Sequence, residues 1–182
     1  MPFYELNHEG FEAWQPSMPR PLVVAVLDGA EEKEGRTTVV LSEGFGYRHE
    51  ASGAEIETPS GYITDFASIP PLARAVFPPF GRHAKAAVLH DWLYLVGEPG
   101  KKAFADRIFL DAMRELGVSR WRRRLMHLAV RFGGAGGYCN EAKGWNRAFG
   151  DWRTGDRVDA PGVPADYVQA RWSHPPSPDF KP

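Results

Sequence analysis

The sequence holds a single cysteine, Cys139, so no disulfide can form within the chain. That excludes the disulfide-stapled secreted scaffolds and fits folding in a reducing compartment. It lacks an excess of either charge: 22 Lys and Arg stand against 23 Asp and Glu. Nothing global therefore draws it to nucleic acid or to an anionic surface, although local patches remain open to it. It also lacks a long hydrophobic run. Stretches such as Leu22 to Leu27 fall far short of the ~20 residues that a bilayer span requires. The first residues, MPFYELNHEG, show neither a basic n-region nor an apolar h-region, so no signal peptide is expected there. There is no internal repeat, and no low-complexity block outside the proline-bearing tail.

What is present suits one domain. Hydrophobic residues make up 43 % of 182, enough for a core, while sixteen prolines and nineteen glycines predict short elements and much ordered loop. Residues 1–20 read as an N-terminal arm and 153–182 as an extended tail. Between them, 21–152 form a single α+β domain, with a β unit over 21–64 and a helical part over 65–152. Leu22 to Leu27 reads as a buried strand, and Thr37 to Leu41 as its hairpin partner. Phe45 to His49, Glu55 to Thr58 and Tyr62 to Thr64 are shorter strands set off by glycines. Ile69 to Phe77 reads as a short helix, with Ser68 as N-cap and Pro70 in the first turn. Arg82 to Val96, free of Gly and Pro, is a helix. Lys101 to Leu116 is the next, closed by Gly117 at C′. Ser119 caps a third, to about Phe132, in which Trp121, Leu125, Leu128 and Phe132 form a stripe expected to be buried. Glu141 to Trp152 reads as a last short helix. The expected architecture is an N-terminal antiparallel β unit packed on a C-terminal bundle of about three helices, with extended Pro-rich termini.

The chemistry concentrates in LHDWLY, residues 89–94, where His90 and Asp91 sit inside an apolar helix. Neighbours on a helix diverge by about 100°, so the two side chains do not face each other and each needs its own partner. GEPG is a short linker, so the helices before and after it should pack antiparallel. That brings His90 opposite Asp106, which lies at the edge of the second helix's apolar face. A His90–Asp106 hydrogen bond would fix one imidazole tautomer and turn the other nitrogen to a cleft, as in a general base that activates water. Asp91 could then hold a hard cation with backbone carbonyls, and the cation would polarise an ester carbonyl. The competing reading is that the pair only ties helices together. A cleft open at His90 would favour the first; burial of His90 beneath Trp92 and Leu93 would remove it.

Other candidates are less specific. In TDFASIPP, Asp65 and Ser68 could cap a helix, and Asp65 could also reach His90 or Arg82. His83 lies two helical turns before His90. A His83/His90/Asp91/Asp106 set resembles a metal-dependent His-Asp phosphohydrolase site, but the His83 spacing is much too short for it. Five arginines around the third helix lack the aromatic interleaving of a nucleic-acid face, and they read as solvated or as the edge of a lipid or virion interface. RFGGAGGY follows a helix and is a stop, not a phosphate cradle.

Taken in combination, GYITDFASIP, HDWLY and FADRIF, the last followed by a helix and a glycine-rich turn, resemble the phage and prophage family described as domain of unknown function 1353, over roughly residues 20 to 138. The resemblance implies a context: a product of tailed-phage or prophage genes, made in the bacterial cytoplasm, associated with the virion and contacting other virion proteins. HDWLY followed by Ala105-Asp106 also resembles the core of the secretory phospholipases that cleave the sn-2 ester, especially their viral-capsid versions. This second resemblance, about 30 residues long, implies His90 as general base, Asp106 as its orienting partner, Tyr94 as support and Asp91 as a calcium ligand. The chain departs from that pattern in two places. PPFGR stands where the glycine-rich calcium loop belongs, and the disulfide frame is absent. Two functions follow as expectations: a phage-associated, calcium-dependent hydrolase of membrane lipid esters, or a non-enzymatic tail or tail-tip component in which the same motifs are structural.

Overall fold

The computed structural model describes residues 3–5, 21–27, 38–66, 80–96 and 100–134, together with Gly136, Tyr138 and Phe149. Among these, short strands come first and helices follow: β1 (Phe3–Glu5), β2 (Val24–Val26), β3 (Val39–Leu41), β4 (Phe45–His49), β5 (Ala54–Thr58), β6 (Ile63–Thr64), then α1 (Ala84–Val96), α2 (Lys102–Glu115) and α3 (Arg120–Gly133). The chain is an α+β protein, as its pattern of elements predicts. The short helix expected over Ile69 to Phe77 and the C-terminal tail lie outside the described residues, and so does the one over Glu141 to Trp152 apart from Phe149, which is buried and forms an isolated antiparallel bridge with Tyr62.

The strands form two three-stranded antiparallel sheets, ordered β1-β4-β5 and β2-β3-β6. The β4–β5 hairpin follows the alternation of AEIET, in which Ala54, Ile56 and Thr58 turn inward. In the second sheet β3 lies in the middle. Val39, Val40 and Leu41 are all 0 % exposed, as expected of a strand covered on both faces. The strand expected to be buried, Leu22 to Leu27, is instead an edge strand with Val23 37 % and Val26 53 % exposed. A continuous apolar run marks a strand without saying which place in the sheet it takes. The N-terminal arm also contributes structure, since Phe3 pairs with Tyr47 and Glu5 with Phe45.

The helices owe their limits to local chemistry. α1 is rich in Ala and Leu, which hold the helix at little entropic cost, and nine of its thirteen residues are buried, so it is a core helix rather than a surface one. α2 ends in a Schellman motif: Gly117, at φ +72°, donates to the Arg114 carbonyl and Val118 to that of Met113. Ser119 occupies the N-cap position of α3, but its side chain makes no capping hydrogen bond. α2 is the hub, packed on α1, on α3 and on β4. α1 meets the second sheet where the Trp92 ring stands edge-on to Tyr62, 5.1 Å between centroids.

One expectation fails outright. Trp121, Leu125, Leu128 and Phe132 are not buried; they are 55 %, 46 %, 49 % and 79 % exposed, and the buried residues of α3 are Met126 and Val130. Periodicity reports that a helix has an apolar face. Which face meets a neighbour is decided by α2, which receives α3 on the other side.

Candidate functional site

α1 and α2 run antiparallel, because residues at matching distances from their connection meet. The Lys102 ammonium lies 5.6 Å from the centre of the Tyr94 ring, and His90 reaches Asp106. His90 Nε2 and Asp106 Oδ1 are 3.0 Å apart, so the hydrogen bond expected from the helix pair is present. The same carboxylate oxygen accepts the Tyr94 hydroxyl at 2.7 Å, and Oδ2 accepts Lys102 Nζ at 2.7 Å. Lys102 then continues to α3, donating to the carbonyls of Val130 at 2.9 Å and Arg131 at 3.2 Å. Both carbonyls belong to the last turn of α3, where a cation is favoured by the helix dipole; that of Val130 also accepts the Gly134 N–H at 2.9 Å. One network therefore joins α1, α2 and α3.

The centre of the network is buried. The side chains of His90 and Asp106 are each 2 % exposed. Tyr94 and Phe109 flank the imidazole, with ring centroids 4.1 and 4.7 Å away. Trp92, the next residue but one after His90, turns to Tyr62 and Phe149. Burial foremost lowers the His90 pKa; the Asp106 bond and charge pull it up, and Lys102 and His127 push it further down. The ring is neutral at pH 7. For Asp106, burial is the largest influence and opposes ionisation. Hydrogen bonds from His90, Lys102 and Tyr94 together outweigh it and bring the carboxyl down to about 2. An ionised Asp106 can only accept, so Nε2 carries the proton and donates it in the hydrogen bond, which puts the basic lone pair on Nδ1. Burial and the Asp106 bond raise the Tyr94 phenol well above its ordinary value.

The other expected site residues are placed apart from this network. Asp91 Oδ2 accepts the Thr64 hydroxyl at 2.6 Å, and Thr64 in turn accepts the Phe66 backbone N–H at 3.2 Å. Thr64 of the TDF segment thus reaches α1. Phe66, buried, takes a φ of +52°, unusual for a residue with a side chain, and the Thr64 contact helps to hold it there. Asp65 is half-buried, and its charge, with that of Asp91, adds to the burial that raises the Tyr62 phenol. His83 is buried at the start of α1, where its carbonyl accepts the Ala87 N–H. Ser68 lies outside the described residues. Among the described residues, no three His, Cys, Asp or Glu side chains gather around a common point, so His83, His90, Asp91 and Asp106 do not make a metal cluster. A hard cation such as calcium takes six to eight oxygens. Asp91 brings one carboxylate, with an oxygen already accepting Thr64, and among the described residues it is not part of a group of three His, Cys, Asp or Glu side chains.

A second buried His–Asp pair was not anticipated. His49 at the end of β4 sets Nε2 3.2 Å from Asp111 Oδ2 and Nδ1 2.6 Å from the Ser52 hydroxyl. Arg107 donates to Asp111 at 2.8 Å. Burial opposes ionisation of Asp111, but the bonds from His49 and Arg107 lower its pKa. The pair ties the first sheet to α2. Sequence offered only the i,i+4 spacing of Arg107 and Asp111; His49 is 62 positions away and left no local signal. The same i,i+4 spacing marked Lys102 and Asp106.

The family model described as "Protein of unknown function (DUF1353)" matches residues 39–130, and the chain belongs to that family. The match runs from the start of β3 nearly to the end of α3, so it contains both His–Asp pairs. No curated protein and no solved structure matches the chain.

Proposed function

We propose, on the premise of that family membership, that the protein is a non-enzymatic component of a phage or prophage particle in which HDWLY and its partners fasten the helices together. The observation that carries the structural role is the Asp106 carboxylate: buried, bound by donors from α1 and α2, and linked through Lys102 to the end of α3. A general base needs a route for water to its basic nitrogen. Here aromatic rings flank the imidazole, and only 2 % of its surface is open. The His49–Asp111 pair supports the same view, since it shows the fold using a second buried His–Asp bond as a tie between elements. The phage context rests on the resemblance carried by GYITDFASIP, HDWLY and FADRIF.

A specific observation favours a second reading, a phospholipase-like ester hydrolase. Asp106 orients His90 and receives Tyr94, the arrangement that the phospholipase resemblance implies, and it leaves Nδ1 basic. In this reading His90 takes the proton of a water that attacks the lipid ester, after Tyr94 or Phe109 has moved aside.

The deciding experiment is ester release from mixed phospholipid vesicles, with calcium and with chelator, for wild type and His90→Ala. No release from folded wild-type protein, together with its co-sedimentation with purified particles, is the expected result. Calcium-dependent release that disappears in His90→Ala would overturn the structural reading and establish the hydrolase.

A further inference from the structure

α3 presents two opposite apolar faces, one buried and one exposed. At about 100° per residue, Met126 and Val130 lie close together on the side turned to α2. Trp121, Leu125, Leu128 and Phe132 fall within an arc of about 60° on the far side. All four are exposed, Phe132 most of all at 79 %. Arg120, Arg124 and Arg131 border this row on one flank and Arg122 on the other. The Arg122 guanidinium lies over the Trp121 ring, 5.3 Å from its centre. The helix contains no acidic residue, although the whole chain carries 23. Five arginines and four large apolar side chains are thus concentrated in fourteen residues of an otherwise balanced protein.

Each half of that pattern narrows the partner. The arginines call for an anionic surface. Leu125 and Leu128, in the middle of the row, have no π-face for a base to stack on and no donor for a phosphate, which disfavours nucleic acid. They suit acyl chains. An apolar row of Trp, Leu and Phe edged by cations is the composition of a helix lying in a membrane interface, with arginine stems extending along the lipid and their heads at the phosphates. At about 21 Å the helix is too short to cross a bilayer but long enough to lie in its plane. We propose that α3 docks the protein on an anionic lipid bilayer, with Trp121, Leu125, Leu128 and Phe132 sunk to the acyl boundary and Arg120, Arg122, Arg124 and Arg131 on the headgroup phosphates. This docking is independent of whether His90 is a base or a tie.

The test is co-flotation of the full chain with ether-linked phospholipid vesicles, which contain no acyl ester and so report binding without hydrolysis. Binding should be roughly tenfold or more tighter with phosphatidylglycerol present than with phosphatidylcholine alone, and should weaken in high salt. Leu125→Ser combined with Leu128→Ser should lower binding by about tenfold while the urea midpoint stays unchanged, since both positions are exposed. Arg120→Gln with Arg124→Gln should remove the preference for phosphatidylglycerol. Absence of binding, equal binding to both vesicles, or a double-serine variant that binds like wild type would overturn the proposal. So would a concentration-dependent dimer abolished by the same serines, which would assign the face to a second copy.

Discussion

Asp106 illustrates how much one side chain can hold. Its carboxylate accepts from His90, Tyr94 and Lys102, so removing it takes this acceptor from a buried imidazole and a half-buried phenol, while Lys102, 22 % exposed, keeps the Val130 and Arg131 carbonyls. Asp106→Ala is expected to destabilise the protein by about 3 kcal/mol, read as a fall in the urea midpoint, because the buried His90 N–H loses this acceptor without regaining water. Tyr94→Phe removes one donor and leaves the carboxylate two, so its cost should be nearer 1 kcal/mol. The two His–Asp pairs share α2, and the hydrogen-bond donors to Asp106, from His90, Tyr94 and Lys102, differ from those to Asp111, from His49 and Arg107. In double-mutant cycles, His90→Ala and Asp106→Ala should therefore couple by ~1 kcal/mol or more, while His49→Ala and Asp106→Ala add within about 0.5. Equal coupling in both cycles would mean that the networks are one. At this scale the sequence was partly legible: the linker placed His90 opposite Asp106, but nothing near His90 pointed to Thr64, and nothing near His49 pointed to Asp111.

The ends of the helices are where element and site meet. Gly117 adopts φ +72°, and an added Cβ there would sit 3.4 Å from Arg82 Nη1, an ordinary contact. The expected cost of Gly117→Ala is therefore conformational, about 1 kcal/mol. Gly134, just after α3, is different. A Cβ there would come 2.5 Å from the Tyr94 hydroxyl and 2.7 Å from the Val130 carbonyl, so something must shift. Gly134→Ala should cost more than Gly117→Ala by thermal melting, and the excess should shrink when Tyr94→Phe removes the hydroxyl. An excess that persists in full would assign the strain to the Val130 carbonyl instead. The glycine at the end of α2 was readable as a C′ residue, because helix stops are local. The tight fit at Gly134 depends on α1 passing behind it, and no local pattern reports that.

For the molecule as a whole, the buried titratable groups set a direction for acid stability. The folded chain resists protonating His90 and His127, whose pKa values burial lowers, while an unfolded histidine takes a proton near 6.5. Their contribution is therefore complete above about pH 6.5 and is lost as pH falls below it. Asp106, at about 2 against an ordinary 3.8, and Asp111, also lowered, add stability that is present above about pH 4 and lost on further acidification. The Asp106 shift alone corresponds to ~2 kcal/mol. Glu115, raised by burial, works the other way. The urea midpoint should be level at neutral pH, decline below about 6.5 and fall more steeply below about 4. A midpoint that rises on acidification would contradict the buried networks.

What the sequence determined by itself is local or short in range. Glycine and proline spacing set the helix and strand limits, alternation set the inward residues of β5, and a short linker made α1 and α2 antiparallel and faced His90 with Asp106. These follow from backbone sterics and helical period, which act within a few residues. Tertiary structure decided which apolar surface was covered. It gave β3 the middle of its sheet and left β2 at the edge, and it turned Met126 and Val130 inward while the row from Trp121 to Phe132 stayed exposed. Burial is a property of what packs against a face, and two faces of similar composition differ only in whether a neighbour arrives.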